Sequence, residues 1–210
     1  MTGSKPHRQK HAFTIEEHPW KYYIPQGAKA LVIGTFPTAQ HNRSFAFFYP
    51  NKTNRFWKIM AEIAGEKLLY NTGEVAVAER KNILAHLKLG ITDMAQRVKR
   101  AGKSSLDEDL TPLEFTNLEL LLKEHPTIVR LLFTSSAPGS SAFAWFTQYL
   151  KQLQMPVRVN RNLPKPWQTE ITLANRQVEV MVLHSPSARA ANRLGYAALV
   201  AMYRSAVQFK

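Results

Sequence analysis

Apolar positions along the chain fall into two patterns. Short unbroken runs at Ala30–Ile33, at Ile128–Phe133 (IVRLLF) and at the end of Gln177–Leu183 (VMVL) have the length and branched-residue content of buried strands. Each stops at a turn: Gly34-Thr35-Phe36-Pro37, Thr134-Ser135-Ser136-Ala137-Pro138-Gly139, and Leu183-His184-Ser185-Pro186. Longer segments repeat apolar residues at helical spacing. Phe56, Trp57, Ile59, Met60 and Ile63 share one face behind a cap at Thr53 or Asn54, and Val75–Leu87, Leu113–Lys123, Ala142–Leu153 and Ala191–Lys210 are amphipathic in the same way. Weaker strand signals occupy Pro156–Val159 and Glu170–Leu173, the latter facing Gln177–Leu183 across Ala174-Asn175-Arg176.

Strands alternating with helices predict an α/β domain whose strand-end turns gather in one crevice. The stretch Leu31–Gly65 is its centre, because a strand end, an aromatic loop (Phe45, Phe47, Phe48, Tyr49) and a helix start lie within one short segment. The remaining segments read as connections. Gly90–Arg97 is a turn with Thr92 and Asp93 as caps, Arg97–Lys103 is a basic loop, and the aromatics of Ala12–Gly27 are pinned on the domain. No repeat, phosphate-loop or dinucleotide fingerprint is present.

At 210 residues, one domain over 12–210 is expected, preceded by a flexible basic arm at 1–11. Lys and Arg number 28 against 15 Asp and Glu, a formal charge of +13. That surplus suits a polyanionic partner, nucleic acid first, over an anionic membrane or a merely solvated basic surface. With no cysteine, disulfides, thiolate metal sites and cysteine nucleophiles are excluded. His7 and His11 without carboxylates make a poor metal site, so no metal and no cofactor is assigned. No apolar run reaches the ~18 residues of a membrane span, and the polar Met1–Lys10 offers no signal peptide, so a cytoplasmic protein is expected.

The motifs at the strand ends resemble the uracil-DNA glycosylase superfamily. Its first motif, a strand followed by G-x-x-P, stands as Gly34-Thr35-Phe36-Pro37, and a following aromatic-x-H-P-x-N-x-F-W segment matches Tyr49-Pro50-Asn51-Lys52-Thr53-Asn54-Arg55-Phe56-Trp57. Phe36 replaces the catalytic Asn of the mismatch-specific branch and Asn51-Lys52 replaces its His-Pro, which brings the chain closer to the hypoxanthine-DNA glycosylase branch. Gly90-Ile91-Thr92-Asp93 resembles the superfamily's G-x-x-D turn, and Ser185-Pro186-Ser187 its second motif, with His184 one residue from the usual histidine position. The resemblance implies a three-layer α/β/α sandwich around a central, mostly parallel sheet. It also implies a monomeric, nucleoid-associated repair enzyme acting on double-stranded DNA with a damaged or mismatched base.

A glycosylase needs a positioned water, stabilisation of the departing base and a pocket for a flipped nucleotide. Asn54 is the first catalytic candidate, able to orient water, with helix capping as its alternative. His184 could donate to the leaving base, or serve as a phosphate or structural contact. Tyr49 or Phe48 could stack on the base, the turn Gly34-Thr35-Phe36-Pro37 could bind it through the amides around Thr35 and Phe36, and Thr134 or Ser135 occupies the position of a base-binding Asn. Ser185 and Ser187 would hold phosphates, Arg189 would sit in the wedge, and Arg97, Lys99 and Arg100 would form a phosphate-binding rim. Hypoxanthine is favoured over uracil or mismatched thymine, and a catalytically silent DNA-binding module is the reading from another class.

Overall fold

A computed structural model describes residues 12–191 and 194–209. The basic arm expected at 1–11, with His7 and His11, lies outside the described residues. The fold is mixed α/β with two sheets. The central sheet has the order β3-β2-β6-β8-β7, formed by β2 (Ala30–Gly34), β3 (Leu89–Asp93), β6 (Arg130–Phe133), β7 (Trp167–Leu173) and β8 (Arg176–Val182). β3, β2, β6 and β8 run parallel, and β7 closes one edge antiparallel to β8. Ala174 and Asn175 both take positive φ in the β7–β8 turn, the backbone hand of a tight hairpin.

Alternation along the strands sends successive side chains to opposite faces. Leu31, Ile33, Leu131 and Phe133 join one buried cluster with α3 (Leu118–Glu124) and α4 (Ala142–Gln152). Ala30, Val32, Leu132 and Met181 join the other, with α1 (Phe56–Ala64), α2 (Gly73–His86) and α6 (Tyr196–Val207). In α1, Phe56, Trp57, Ile59 and Met60 are at most 4 % exposed. Burying each is worth about 1.5–3 kcal/mol, so packing outweighs the ~1 kcal/mol of a cap in holding this helix. A short helix, α5 (Ala188–Ala191), follows the last strand.

Five expectations change. The segment read as a turn at Gly90–Arg97 begins with β3, a fully buried strand, and Thr92 and Asp93 cap no helix. Gly90 is there because a side chain would press on Ile24 and Leu31, not because the chain turns. The basic loop at Arg97–Lys103 is largely β4 (Ala95–Ala101), central in a second, antiparallel sheet with β1 (Phe13–Glu17) and β5 (Leu110–Phe115). The helix expected from Leu113 therefore starts only at Leu118, where Asn117 accepts from the Leu120 amide. Pro156–Val159 forms no strand, and the terminal helix begins at Tyr196.

Candidate active site at the strand ends

The carboxyl ends of β2, β3 and β6 bring together Gly34, Thr35, Asp93, Thr134 and Ser135. The turn after β2 is tied to β3 and β4 by the Met94 amide donating to Gly34 (2.8 Å) and the Ala95 amide to Thr35 (3.3 Å). Tyr49, held at φ 49°, lies over this cluster: its ring stacks on Phe56 at 4.2 Å between centroids, and its hydroxyl is 2.7 Å from Thr134 Oγ1. Burial, followed by the nearby Asp93, raises the Tyr49 hydroxyl far above its ordinary pKa. Thr35 Oγ1 donates to Asp107 Oδ2 at 2.7 Å and lies 3.1 Å from Ser135 Oγ. Burial pushes the Asp107 carboxyl up to about 6.

Beneath this cluster, His18 Nε2 meets Asp93 Oδ2 at 3.0 Å, with side chains 2 % and 8 % exposed. Phe48, expected as an alternative to Tyr49 in stacking on a base, is instead a core residue at 1 % exposure, and the Phe36 ring is buried at 7 %, which leaves for Phe36 only the backbone contact expected of it. Both rings pack on His18 with centroids 5.5 Å away, so neither offers a free face. Pro37 is buried as well, its carbonyl accepting from Arg100 Nη2 at 2.8 Å. Arg100 is no rim residue. It is 1 % exposed and grips Glu16 through two hydrogen bonds, because strand alternation in β4 turns it inward while Arg97 and Lys99 stay accessible.

The helix start and the second motif also meet. The Arg55 amide donates to the Pro186 carbonyl at 2.9 Å, bringing Asn54 beside Ser185-Pro186-Ser187. Asn54 Oδ1 accepts from the Phe56 amide at 2.9 Å, so its capping role is realised one residue before the helix boundary at Arg55. His184 is half-buried, its carbonyl accepting from Tyr203 at 2.9 Å. Burial, then the cation of Lys165, lowers its pKa. Lys165 bonds Ser136 Oγ and the Leu183 carbonyl, bridging the ends of β6 and β8, and burial lowers its amine to about 8. Arg189 is exposed and lies 3.3 Å from Glu108.

Two concavities border the segment that leads into α1, and none of the strand-end residues lines either. One of about 490 Å³ is lined in part by His41, Arg43, Asn51 and Lys52, and one of about 280 Å³ by Arg55, Lys58 and Tyr196. They flank the Asn51–Asn54 segment with cationic side chains. The sequence points to Gly34, Thr35, Thr134 and Ser135 through their strand-end positions and to Tyr49 through its aromatic loop, and the structure brings these five together. Sequence reading gave Asp93 a capping role and missed His18, Asp107 and Lys165, whose local sequence carries no motif.

No family model and no curated protein matches the chain. It is similar in fold to a solution NMR structure of a protein from Methanosarcina acetivorans described as a "putative Uracil DNA glycosylase". The two superpose with a TM-score of 0.60 at 18 % sequence identity, covering 92 % of this chain and 97 % of the other.

Proposed function

We propose that the chain is a monomeric DNA glycosylase of the uracil-DNA glycosylase type, with a three-layer α/β/α domain that flips a deaminated base from duplex DNA and hydrolyses its N-glycosidic bond. The observation that carries this reading is the meeting of Gly34-Thr35, Tyr49, Thr134-Ser135 and the Asn54–Pro186 junction at the carboxyl ends of parallel strands. The fold shared with the archaeal protein supports it. In this reading Tyr49 stays on Phe56 and offers its other face to the base, Thr134, Ser135 and the Thr35–Phe36 amides bind its edge, and His184 assists its departure. Asn54 holds the water with the amide left over from capping. Ser185, Ser187 and Arg189 hold the backbone near the flipped nucleotide, and Arg97 and Lys99 add distant phosphate contacts. Hypoxanthine is the first substrate to test, because Phe36 stands where an Asn would mark the mismatch-specific branch.

The test is excision on duplex oligonucleotides carrying hypoxanthine, uracil, xanthine or a G·T mismatch, read as strand cleavage at the abasic product. Cutting of one base is expected; intact strands in every lane would defeat the enzyme reading. Asn54→Ala should slow single-turnover excision by about 100-fold, the size typical of a positioning or polar stabilising group. A rate close to wild type would leave Asn54 as a cap alone. Duplex affinity should fall about 100-fold between ~50 and ~200 mM salt if about four phosphates are neutralised. A flat response would disconnect the +13 charge from DNA.

A further inference from the structure

Asp107 belongs to none of the motifs, yet it reaches the centre of the strand-end cluster. It opens the short 3-10 turn Asp107–Asp109 in the connection between β4 and β5. That connection is fastened by Asn42 Nδ2 donating to Ser105 Oγ at 2.7 Å, by Arg100 Nη1 donating to the Ser104 carbonyl at 2.7 Å, and by Arg189, 3.3 Å from Glu108. Oδ2 of Asp107 accepts from Thr35, whose hydroxyl neighbours Ser135 Oγ; that oxygen in turn accepts from the Ala142 amide at the start of α4 (2.9 Å). The other carboxylate oxygen, Oδ1, has no hydrogen-bond partner among the described residues.

We propose that Asp107 is a catalytic residue of this crevice, whose Oδ1 takes a proton from the water that attacks C1′ of the flipped nucleotide. The proposal rests on the glycosylase reading. Water oxygen bonds C1′ as the C1′–N bond breaks, and the electron pair leaves with the base. The water's proton passes to Asp107 and then to the departed base or to solvent, giving a free base and an abasic sugar with no redox partner. Asp93 is less suited to this task. Its Oδ2 is held by His18, its Oδ1 lies against Gly34, and its side chain is 8 % exposed.

The electrostatic setting fits a base that works near neutral pH. Burial raises the Asp107 carboxyl to about 6, the Thr35 hydrogen bond and Arg100 pull it down, and Asp93 and Glu108 push it up. Tyr49, which also feels Asp107, keeps its proton. Because the folded-state pKa lies above the ordinary carboxyl value, ionisation costs stability as pH rises from about 4 to about 6. A catalytic group held against its own stability is a common compromise.

Asp107→Asn keeps an acceptor for Thr35 and removes the base. Single-turnover excision by wild type and variant is to be measured from pH 5 to 8 on whichever base the wild type cuts, with thermal unfolding and duplex binding in parallel. The variant should lose at least about 100-fold in rate, lack the acid limb that the wild type shows near pH 6, bind DNA equally, and unfold at a higher temperature than wild type at pH 8 but not at pH 4. Equal excision rates, or a rate loss that leaves the acid limb in place, would overturn the assignment of Asp107 alone. A wild type that cuts no base would overturn the glycosylase reading and this proposal together.

Discussion

Gly34→Ala is expected to cost about 3–5 kcal/mol, an overpacking strain of about 1–3 kcal/mol plus a comparable loss for a buried polar pair stripped of its hydrogen bond. A Cβ at this position would fall well inside van der Waals contact with Asp93 Oδ1 and 3.0 Å from the Tyr49 hydroxyl. Neither neighbour can step aside cheaply. Asp93 is fixed by its place in β3, opposite Gly34, and by His18, and Tyr49 is fixed by Phe56 and Thr134. Relief would require the carboxylate to leave His18 inside a nearly closed space. Gly90→Ala is the control: its added Cβ would meet side-chain carbons of Ile24 and Leu31, at 2.9 and 3.1 Å, which can shift for about 1–3 kcal/mol. Urea unfolding of both variants gives the comparison. Equal losses would mean that the Asp93–His18 contact does not brace this end of the sheet.

Arg100→Ala should destabilise by about 3 kcal/mol, toward the low end for a buried pair because the Glu16 side chain keeps 29 % exposure and can rehydrate. The variant strips two hydrogen bonds from Glu16 and one each from the carbonyls of Ser104 (2.7 Å) and Pro37 (2.8 Å). It thereby loosens β1 against β4, and the first turn with them. Arg97→Ala, on the same strand, should change stability by no more than about 0.5 kcal/mol, since Arg97 is 44 % exposed and 4.0 Å from an open Glu17. On DNA the order reverses: Arg97→Ala should weaken binding and lower the salt dependence, whereas folded Arg100→Ala should not lower it. Comparable stability losses in the two variants would contradict the inward placement of Arg100.

The contrast between these two arginines shows where the sequence can be read and where it cannot. β2, β6, β8, α1 and α4 were legible because each buries a face whose period is local, and a window of about ten residues contains the whole signal, whereas α2 is a helix as expected but buries Arg80, a cation expected on its polar face. The same window misleads in β4. Four cations in a short span look solvated, yet the partner that lets Arg100 enter the interior is Glu16, on a strand far away along the chain. β3 was missed for a related reason: Gly90, Thr92 and Asp93 have turn composition, and they form a strand because β2 pairs along its whole length on one side and Tyr23 bridges to Ile91 on the other.

The candidate site divides along the same line. Gly34, Thr35, Thr134 and Ser135 were placed in the crevice from their positions just past apolar runs, since parallel strands must deliver such turns to one end of a sheet, and Tyr49 from the aromatic loop that follows the first of them. Phe48 had the right chemistry and the wrong direction, because His18 and Trp20 pack on its ring in the interior. Asp107 had no local mark at all. By itself the sequence determined the alternating α/β pattern, the basic surplus and the strand-end turns, all properties of neighbours in the chain. Only the tertiary structure decided which charges are buried, which rings are free and which carboxylate faces Thr35, because solvation and electrostatic partners depend on groups that meet through space.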